Sequence, residues 1–150
     1  MIAAHYQTLL DTVIILTMFI PVVLALAESV SIQSTTITLQ SMPRGDVHWG
    51  VVFRALRKEV MVALLLGLAC GATVGGIAFL WKGIVAVGLA IGLSIATAMV
   101  TACLLGVALP ATVRAFRGDP RIAAGPVVLA ATDLFTLFTY FSLSMRFLWD

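Results

Sequence analysis

Two carboxylates lie in stretches of this sequence that are otherwise apolar enough to cross a lipid bilayer. Asp133 lies within the apolar run of residues 123–149, and Glu28 follows the first apolar segment of the chain. An ionised carboxylate near the centre of a bilayer costs at least about 2.5–3.5 kcal/mol. No Lys or Arg lies in the interior of any apolar segment. We therefore expect both acids to face water or a cation, the alternatives being capping by neighbouring hydroxyls or emergence of the Glu28 segment into the cytoplasm.

The side chains around Asp133 are rich in oxygen. On a helix, Thr136 and Tyr140 lie on the same face as Asp133, and the Gly125-Pro126 pair is expected to open the first turn and expose carbonyl groups. Carboxylate, hydroxyl and carbonyl oxygens are the ligands that Mg²⁺ and Ca²⁺ prefer. We predict Asp133 and Glu28 as cation contacts. The residues predicted to line an ion path are Ser29, Gln33, Gly125, Leu129, Thr132 and Thr136.

A polar run follows Glu28 and is unsuited to contact with lipid. Ser29, Gln33, Thr36 and Gln40 recur at helical spacing and would form one stripe. Such a stripe is typical of the lining of a wet passage.

The composition is that of an integral membrane protein with one domain, residues 1–150. The chain is 61% hydrophobic and 11% charged, whereas soluble domains carry about 25% charged residues. A net charge of +2 is too small to favour nucleic acid as a partner. The sequence has no Gly-rich phosphate loop and no Ser/His/Asp or Cys/His arrangement, so we predict that it is not an enzyme.

The predicted fold is all-α, with four transmembrane helices and a short interfacial helix. The spans are expected at about residues 9–27, 60–81, 84–109 and 124–149. The first helix should continue as a polar extension as far as Pro43, and Pro110 should end the third. Residues 49–59 mix apolar and basic side chains, as interfacial helices do. Glycines spaced by four, among them Gly67, Gly71 and Gly88, predict close packing of the second and third helices or a dimer face.

The basic residues predict the orientation of the chain. Seven of the nine Lys and Arg lie in the loops before the second span and before the fourth. The positive-inside rule places both loops in the cytoplasm, which gives a multi-pass protein of the cell inner membrane with both termini outside. An outside N-terminus without a signal peptide is awkward to insert, so we expect either a fragment whose preceding span is missing or an unusual small protein.

Three stretches carry a resemblance to a known family. They are DPRIAAGP (119–126) with Asp133 and a late Tyr140, FIPVV (19–23) followed by QSTT (33–36), and Lys58-Glu59 before LLLG (64–67). In this order they resemble the membrane domain of the MgtE family of magnesium channels and transporters. The resemblance covers nearly the whole chain.

The resemblance implies a function and an assembly. In that family, an Asp of the last span contacts hydrated Mg²⁺, and two subunits form the pore. By position this role falls on Asp133, with the first and last helices of this chain lining the path in a homodimer within the lipid bilayer. The transported ion would be Mg²⁺, with Mn²⁺, Co²⁺ and Ca²⁺ as further candidates. The chain would be spans two to five of five, and a first span or a cytoplasmic regulatory domain would be the missing part.

One departure from the family pattern concerns the ion path itself. Ala27-Glu28-Ser29 stands where the family usually has Gly-Gly-Asn. The added carboxylate is expected to change the preference among ions. Two other functions stay open: a proton-coupled four-helix exporter of organic cations, which would use the aromatic side chains Phe135, Phe138 and Phe141, and an assembly subunit that carries no flux.

Overall fold

The part of the chain that the structure describes is a bundle of four long α-helices. The computed structural model describes residues 2–41, 49–116, 118–119 and 125–149. The helices are α1 (Ile2–Ser41), α2 (Trp49–Lys82), α3 (Val85–Ala115) and α4 (Pro126–Trp149), and no strand occurs in these residues. Each helix contains a stretch long and apolar enough to cross a bilayer. These stretches are Leu16–Ser41, Leu56–Trp81, Val85–Ala115 and Pro126–Phe147. The predicted all-α, four-span fold is confirmed.

The first helix continues without interruption through the polar run that follows Glu28. It ends at Ser41, and the predicted stop at Pro43 lies outside the described residues. Hydroxyl groups of this run bond to the preceding turn of their own helix, with Thr36 donating to the Ile32 carbonyl over 2.8 Å. This back-bonding satisfies hydroxyls on a helix at membrane depth. The apolar window of α1 reaches Ser41, so Glu28 lies near its middle rather than at its end.

The second helix differs from the prediction at its beginning. Residues 49–59 were expected to form a separate interfacial helix, but α2 runs unbroken from Trp49 to Lys82. The physical reason is local, because no Pro or Gly lies between residues 51 and 66 and a helix once formed propagates through such a sequence. The turn at Gly83 then reverses the chain, with Gly83 at a φ of 69°, which favours glycine.

The third helix passes through Pro110, which was wrongly expected to end it. Proline lacks the N–H that would bond to the carbonyl four residues earlier, in this case that of Gly106. The hydroxyl of Thr35 on α1 donates to this Gly106 carbonyl over 3.1 Å. The neighbouring helix therefore supplies the donor that Pro110 lacks, and α3 continues to Ala115.

Helix α3 lies at the centre of the bundle and packs against the other three helices. Its contact with α2 is made between backbones. A Cβ atom added at Gly92 would lie 2.8 Å from the Gly71 carbonyl oxygen, and one at Gly88 would lie 2.8 Å from that of Gly75. The predicted close packing of these two glycine stripes is confirmed within the chain.

Candidate cation site

Three buried side-chain oxygens on α4 have no hydrogen-bond partner in the described residues, namely Oδ1 of Asp133, Oγ1 of Thr136 and Oγ of Ser144. Those of Asp133 and Thr136 lie three residues apart and therefore on neighbouring turns of one helix face. Thr136 is 1% exposed, and Asp133 is half-buried. Within the described part of the chain, no cation pairs with Asp133. Because an unpaired buried polar group is costly, the oxygens of Asp133 and Thr136 are candidate contacts for water or a cation.

Two hydrogen bonds fix how α4 lies against α1. The Tyr140 hydroxyl donates to the Leu16 carbonyl over 2.7 Å, and the hydroxyls of Ser31 and Thr132 are 2.9 Å apart. Residue numbers rise along one helix as they fall along the other, so the two helices are antiparallel.

This register brings the two predicted acids to nearly the same depth. Glu28 precedes Ser31 by three residues, and Asp133 follows Thr132 by one. Both steps lead in the same direction along the bundle, because α1 and α4 are antiparallel. At a rise of 1.5 Å per residue, the depths of the two acids differ by about 3 Å. Glu28, like Asp133, is half-buried.

The polar run of α1 has two faces. Its buried face packs against the bundle and consists of Ser31, Ser34, Thr35 and Thr38. The opposite face consists of Ser29, Gln33, Thr36 and Gln40, all exposed in the single chain. The predicted polar stripe is therefore an outward face of α1. Because it lies within a membrane-length helix, these side chains need a polar covering.

The other predicted lining residues have different surroundings. Gly125 precedes α4, and its carbonyl accepts the Leu129 N–H over 3.2 Å. The Gly125 carbonyl is therefore not freed, because Pro126 occupies the first helical position, and the carbonyls of residues 121–124 lie outside the described residues. Leu129 is half-buried, and the buried hydroxyl of Thr132 is engaged by Ser31.

A third acid that the sequence prediction did not single out is buried in the bundle. Glu59 on α2 is 8% exposed. Its position next to Arg57 and Lys58 is typical of a solvated helix end. Its burial can be recognised from helical spacing. Glu59, Ala63 and Gly67 follow each other at intervals of four residues, so they lie on the same buried face of α2.

The arrangement fits a hydrated ion better than a dehydrated one. In the described residues, no group of three or more His, Cys, Asp or Glu side chains converges. Mg²⁺ gives up water reluctantly and usually keeps several water ligands, which protein oxygens contact from outside. One carboxylate with a neighbouring hydroxyl supplies such contacts.

Four membrane-length helices around an unpartnered carboxylate define a multi-pass membrane protein with a polar site inside its bundle. A family model described as "MgtE: Divalent cation transporter" matches residues 20–143. The chain therefore belongs to the MgtE family, which confirms the resemblance of its motifs.

Three relatives are similar over nearly the full chain, and each is named magnesium transporter MgtE. That of Bacillus subtilis is 20% identical over 98% of the chain, that of Enterococcus faecalis is 25% identical over 97%, and that of Thermus thermophilus is 27% identical over 93%. The matched regions make up 33%, 32% and 31% of these relatives. The chain thus spans about a third of their length.

Proposed function

We propose that this chain is the ion-conducting membrane domain of a magnesium transporter, in which hydrated Mg²⁺ passes between α1 and α4. The observation that carries the proposal is the pair of buried, unpartnered oxygens on Asp133 and Thr136 at nearly the depth of Glu28. The names of the three relatives agree with Mg²⁺ as the ion. Mn²⁺, Co²⁺ and Ca²⁺ are secondary candidates, because the same oxygen ligands accept them.

The proposed path is completed by a second copy of the chain. The exposed stripe of α1, which includes Ser29 and Gln33, is too polar to face lipid. If a two-fold axis runs beside α1, this stripe would face the same stripe of the second copy, and the two stripes would enclose a wet passage. Gly125 and Leu129 would line the continuation of the passage along α4.

The proposed orientation places the basic loops in the cytoplasm of a bacterial cell, with the chain in the inner membrane. Hydrated Mg²⁺ would enter at the level of Tyr140, meet Asp133 and Glu28, and leave along the stripe that ends at Gln40. Binding at the acids must stay weak enough for release. Two facing carboxylates without a cation repel each other, and a divalent ion relieves that repulsion.

The organic-cation exporter draws no support from the geometry. A cage for an organic cation needs aromatic rings around a carboxylate. Phe135, Phe138 and Phe141 are instead exposed on the outside of α4.

The test is Mg²⁺ uptake into liposomes that contain the purified chain, followed with an entrapped Mg²⁺ indicator. We expect Asp133→Asn to abolish uptake and Thr136→Val to reduce it. Thr139→Val is the matched control, because its hydroxyl bonds to carbonyls of its own helix, at 2.8 Å to Phe135 and 3.0 Å to Thr136. This control variant should retain uptake.

Wild-type uptake that persists unchanged in Asp133→Asn would remove Asp133 from the path. Absence of uptake by the folded wild-type chain, with or without a Mg²⁺ gradient, would contradict the transport function of this domain.

A further inference from the structure

The buried side-chain oxygens that lack a hydrogen-bond partner in the described residues all lie on α3 or α4. Besides Oδ1 of Asp133, they are the hydroxyl oxygens of Ser94, Thr136 and Ser144. Ser94 is 0% exposed, Thr136 is 1% exposed and Ser144 is 2% exposed. Neither lipid nor a second copy of the chain reaches side chains buried this deeply. A partner for these hydroxyls must therefore lie inside the bundle.

Other hydroxyls on the same two helices are satisfied by their own backbone. Thr97 on α3 donates to the Leu93 carbonyl over 2.8 Å, and Thr139 on α4 donates to the Phe135 carbonyl over 2.8 Å. This bond to the preceding turn satisfies a hydroxyl within a membrane without water. The hydroxyls of Ser94, Thr136 and Ser144 make no such bond, so their O–H groups are free for another partner.

Ser94 lies on the side of α3 that α1 and α4 cover. Gly92 and Ala96 contact the backbone of α2, and Ser94 lies two residues from each of them. Two residues turn a helix by about 200°, so Ser94 faces away from α2. The other helices that pack against α3 are α1 and α4. Because Ser94 is fully buried, these two helices cover it.

Thr136 and Ser144 lie on the face of α4 that packs into the bundle. The buried positions of α4 recur every four residues and are Val128, Thr132, Thr136, Tyr140 and Ser144. Four of these five side chains carry a hydroxyl. Those of Thr132 and Tyr140 are engaged by α1, which leaves the hydroxyls of Thr136 and Ser144 in between and beyond them.

The depth of Ser94 follows from the contact of α3 with α1. Gly106 packs against Ser31 and Thr35, so its depth lies between theirs. Successive membrane spans alternate in direction, so α3 runs parallel to α1. Ser94 precedes Gly106 by twelve residues, and at 1.5 Å per residue it lies about 12–18 Å beyond the level of Ser31, toward the α2–α3 turn.

On α4 the same direction leads from Asp133 to Ser144. Thr132 marks the level of Ser31, and from there Asp133, Thr136 and Ser144 lie about 1.5, 6 and 18 Å further on. Ser94 therefore falls between Thr136 and Ser144 in depth. One water with two hydrogen bonds spans about 5.5 Å, so one or two waters bridge each step of this series. Ser144 is three residues from Phe147, where the apolar stretch of α4 ends.

We propose that Ser94, Thr136 and Ser144 line a file of internal waters between α3 and α4, and that this file conducts protons between the α2–α3 end of the bundle and Asp133. Buried waters of this kind bond to polar groups that the protein leaves unsatisfied. The proposal rests on the function proposed above for its end point, because the proton leaves Asp133 through the passage assigned to the cation.

The transfer balances without any further reactant. An excess proton enters the file as hydronium, and at each hop one O–H bond forms as another breaks. Each hydroxyl accepts a hydrogen bond from one water and donates its own to the next, and the proton ends on Oδ1 of Asp133. The other titratable side chains at about this depth in the described residues are Glu28 on α1, Glu59 on α2 and Cys103 on α3. Asp133 supplies the sole carboxylate among the unpartnered oxygens.

The test is proton flux into liposomes that contain the purified full chain and an entrapped pH indicator. The liposomes hold no divalent cation, and a K⁺ gradient with valinomycin sets the membrane potential. We expect the wild-type flux to exceed that of protein-free liposomes. Ser94→Ala and Ser144→Ala should each lower it by about tenfold, which corresponds to about 1.4 kcal/mol on the barrier. Both variants should retain Mg²⁺ uptake, because neither residue lies between α1 and α4.

The matched control for Ser94→Ala is Thr97→Val, because the Thr97 hydroxyl is exposed and bonded to its own helix. It should keep the wild-type proton flux. Ser144→Thr retains a hydroxyl and should keep the flux as well, which a purely structural role of Ser144 would not require. Thermal unfolding and size-exclusion chromatography identify any variant that has lost its fold.

A second readout is independent of transport. An X-ray pulse converts bound water to hydroxyl radicals, which oxidise adjacent rings. Tyr140 is 1% exposed and lies on the same face of α4 as Thr136 and Ser144. Mass spectrometry should therefore find Tyr140 oxidised in the folded wild-type chain and less oxidised in Ser94→Ala.

The proposal is overturned by a wild-type flux no greater than that of protein-free liposomes, by equal fluxes in Ser94→Ala and Thr97→Val, or by a Tyr140 that is protected from oxidation. Mg²⁺ uptake together with any of these results leaves the transport function standing. Proton flux that depends on Ser94 and Ser144 in a chain that takes up no Mg²⁺ supports the water file and contradicts only the transport of magnesium.

Discussion

The hydroxyls of Ser31 and Thr132 lie 2.9 Å apart, and this pair joins the polar run of α1 to the helix that carries Asp133. Both side chains are buried, at 0% and 1% exposure. Either hydroxyl can donate to the other. Together with the bond from Tyr140 to the Leu16 carbonyl, the pair sets the depth of Asp133 relative to Glu28.

Breaking this pair should destabilise the bundle by a small, measurable amount. Each of Ser31→Ala and Thr132→Val leaves one buried hydroxyl without its partner, and hydrogen bonds between membrane helices average about 0.6 kcal/mol, with a maximum near 1.7. The free energy of unfolding in detergent should fall within this range for each variant. In the double variant the losses should not add, because one interaction is removed in all three. Strict additivity would show that the hydroxyls do not interact.

Thr35 and Pro110 offer a rescue experiment. Thr35→Val removes the donor to the Gly106 carbonyl, and an unsatisfied buried acceptor costs about 1–3 kcal/mol. Adding Pro110→Ala restores the backbone N–H of residue 110, which can bond to that same carbonyl within α3. We therefore expect the double variant to be more stable than Thr35→Val alone in thermal unfolding. Equal or lower stability of the double variant would contradict this account of how α3 tolerates its proline.

The glycine contact between α2 and α3 predicts that alanine substitution will have opposite effects on stability at Gly71 and at Gly76. Gly71→Ala places a methyl group against the Gly92 carbonyl, whereas Gly76 has nothing within 4 Å of an added Cβ. Overpacking typically costs about 1–3 kcal/mol, and Gly76→Ala should instead gain up to about 1 kcal/mol from helix propensity. Thermal unfolding of the two purified variants measures the difference. Equal stability would show that the backbones are not in contact.

Magnesium itself should stabilise the wild-type chain. Binding to the folded state alone raises stability by about 2.7 kcal/mol when the ligand is at 100 times its dissociation constant. We expect the Mg²⁺-dependent rise in melting temperature to be lost with a chelator and to be reduced in Asp133→Asn and in Glu28→Gln. Thr139→Val should keep the full effect. A rise of equal size in Asp133→Asn would place the bound ion elsewhere.

The number and type of helices could be predicted from the sequence because length and apolar composition decide them. The behaviour of Pro110 could not, because the group that satisfies Gly106 is Thr35, some seventy positions away along the chain. Residues 49–59 were assigned from their amphipathic composition, yet the absence of a helix breaker determined the outcome.

Of the acids inside the bundle, Asp133 could be identified from the sequence and Glu59 could not. Asp133 could be found because one acid in a long apolar run is conspicuous. Glu59 was missed because its basic neighbours make it look solvated, and only the face that it shares with Ala63 and Gly67 reveals its burial. The split of the α1 polar run into a buried face with Ser31 and an exposed face with Gln33 depends on how α3 and α4 pack, which a helical stripe alone does not specify.

The backbone contact of Gly71 and Gly75 with Gly92 and Gly88 has a consequence for motion. Where carbonyl groups touch without side chains between them, no soft layer remains that could allow one helix to slide along the other. Helices α2 and α3 are therefore expected to keep their positions relative to each other and to move as one rigid pair.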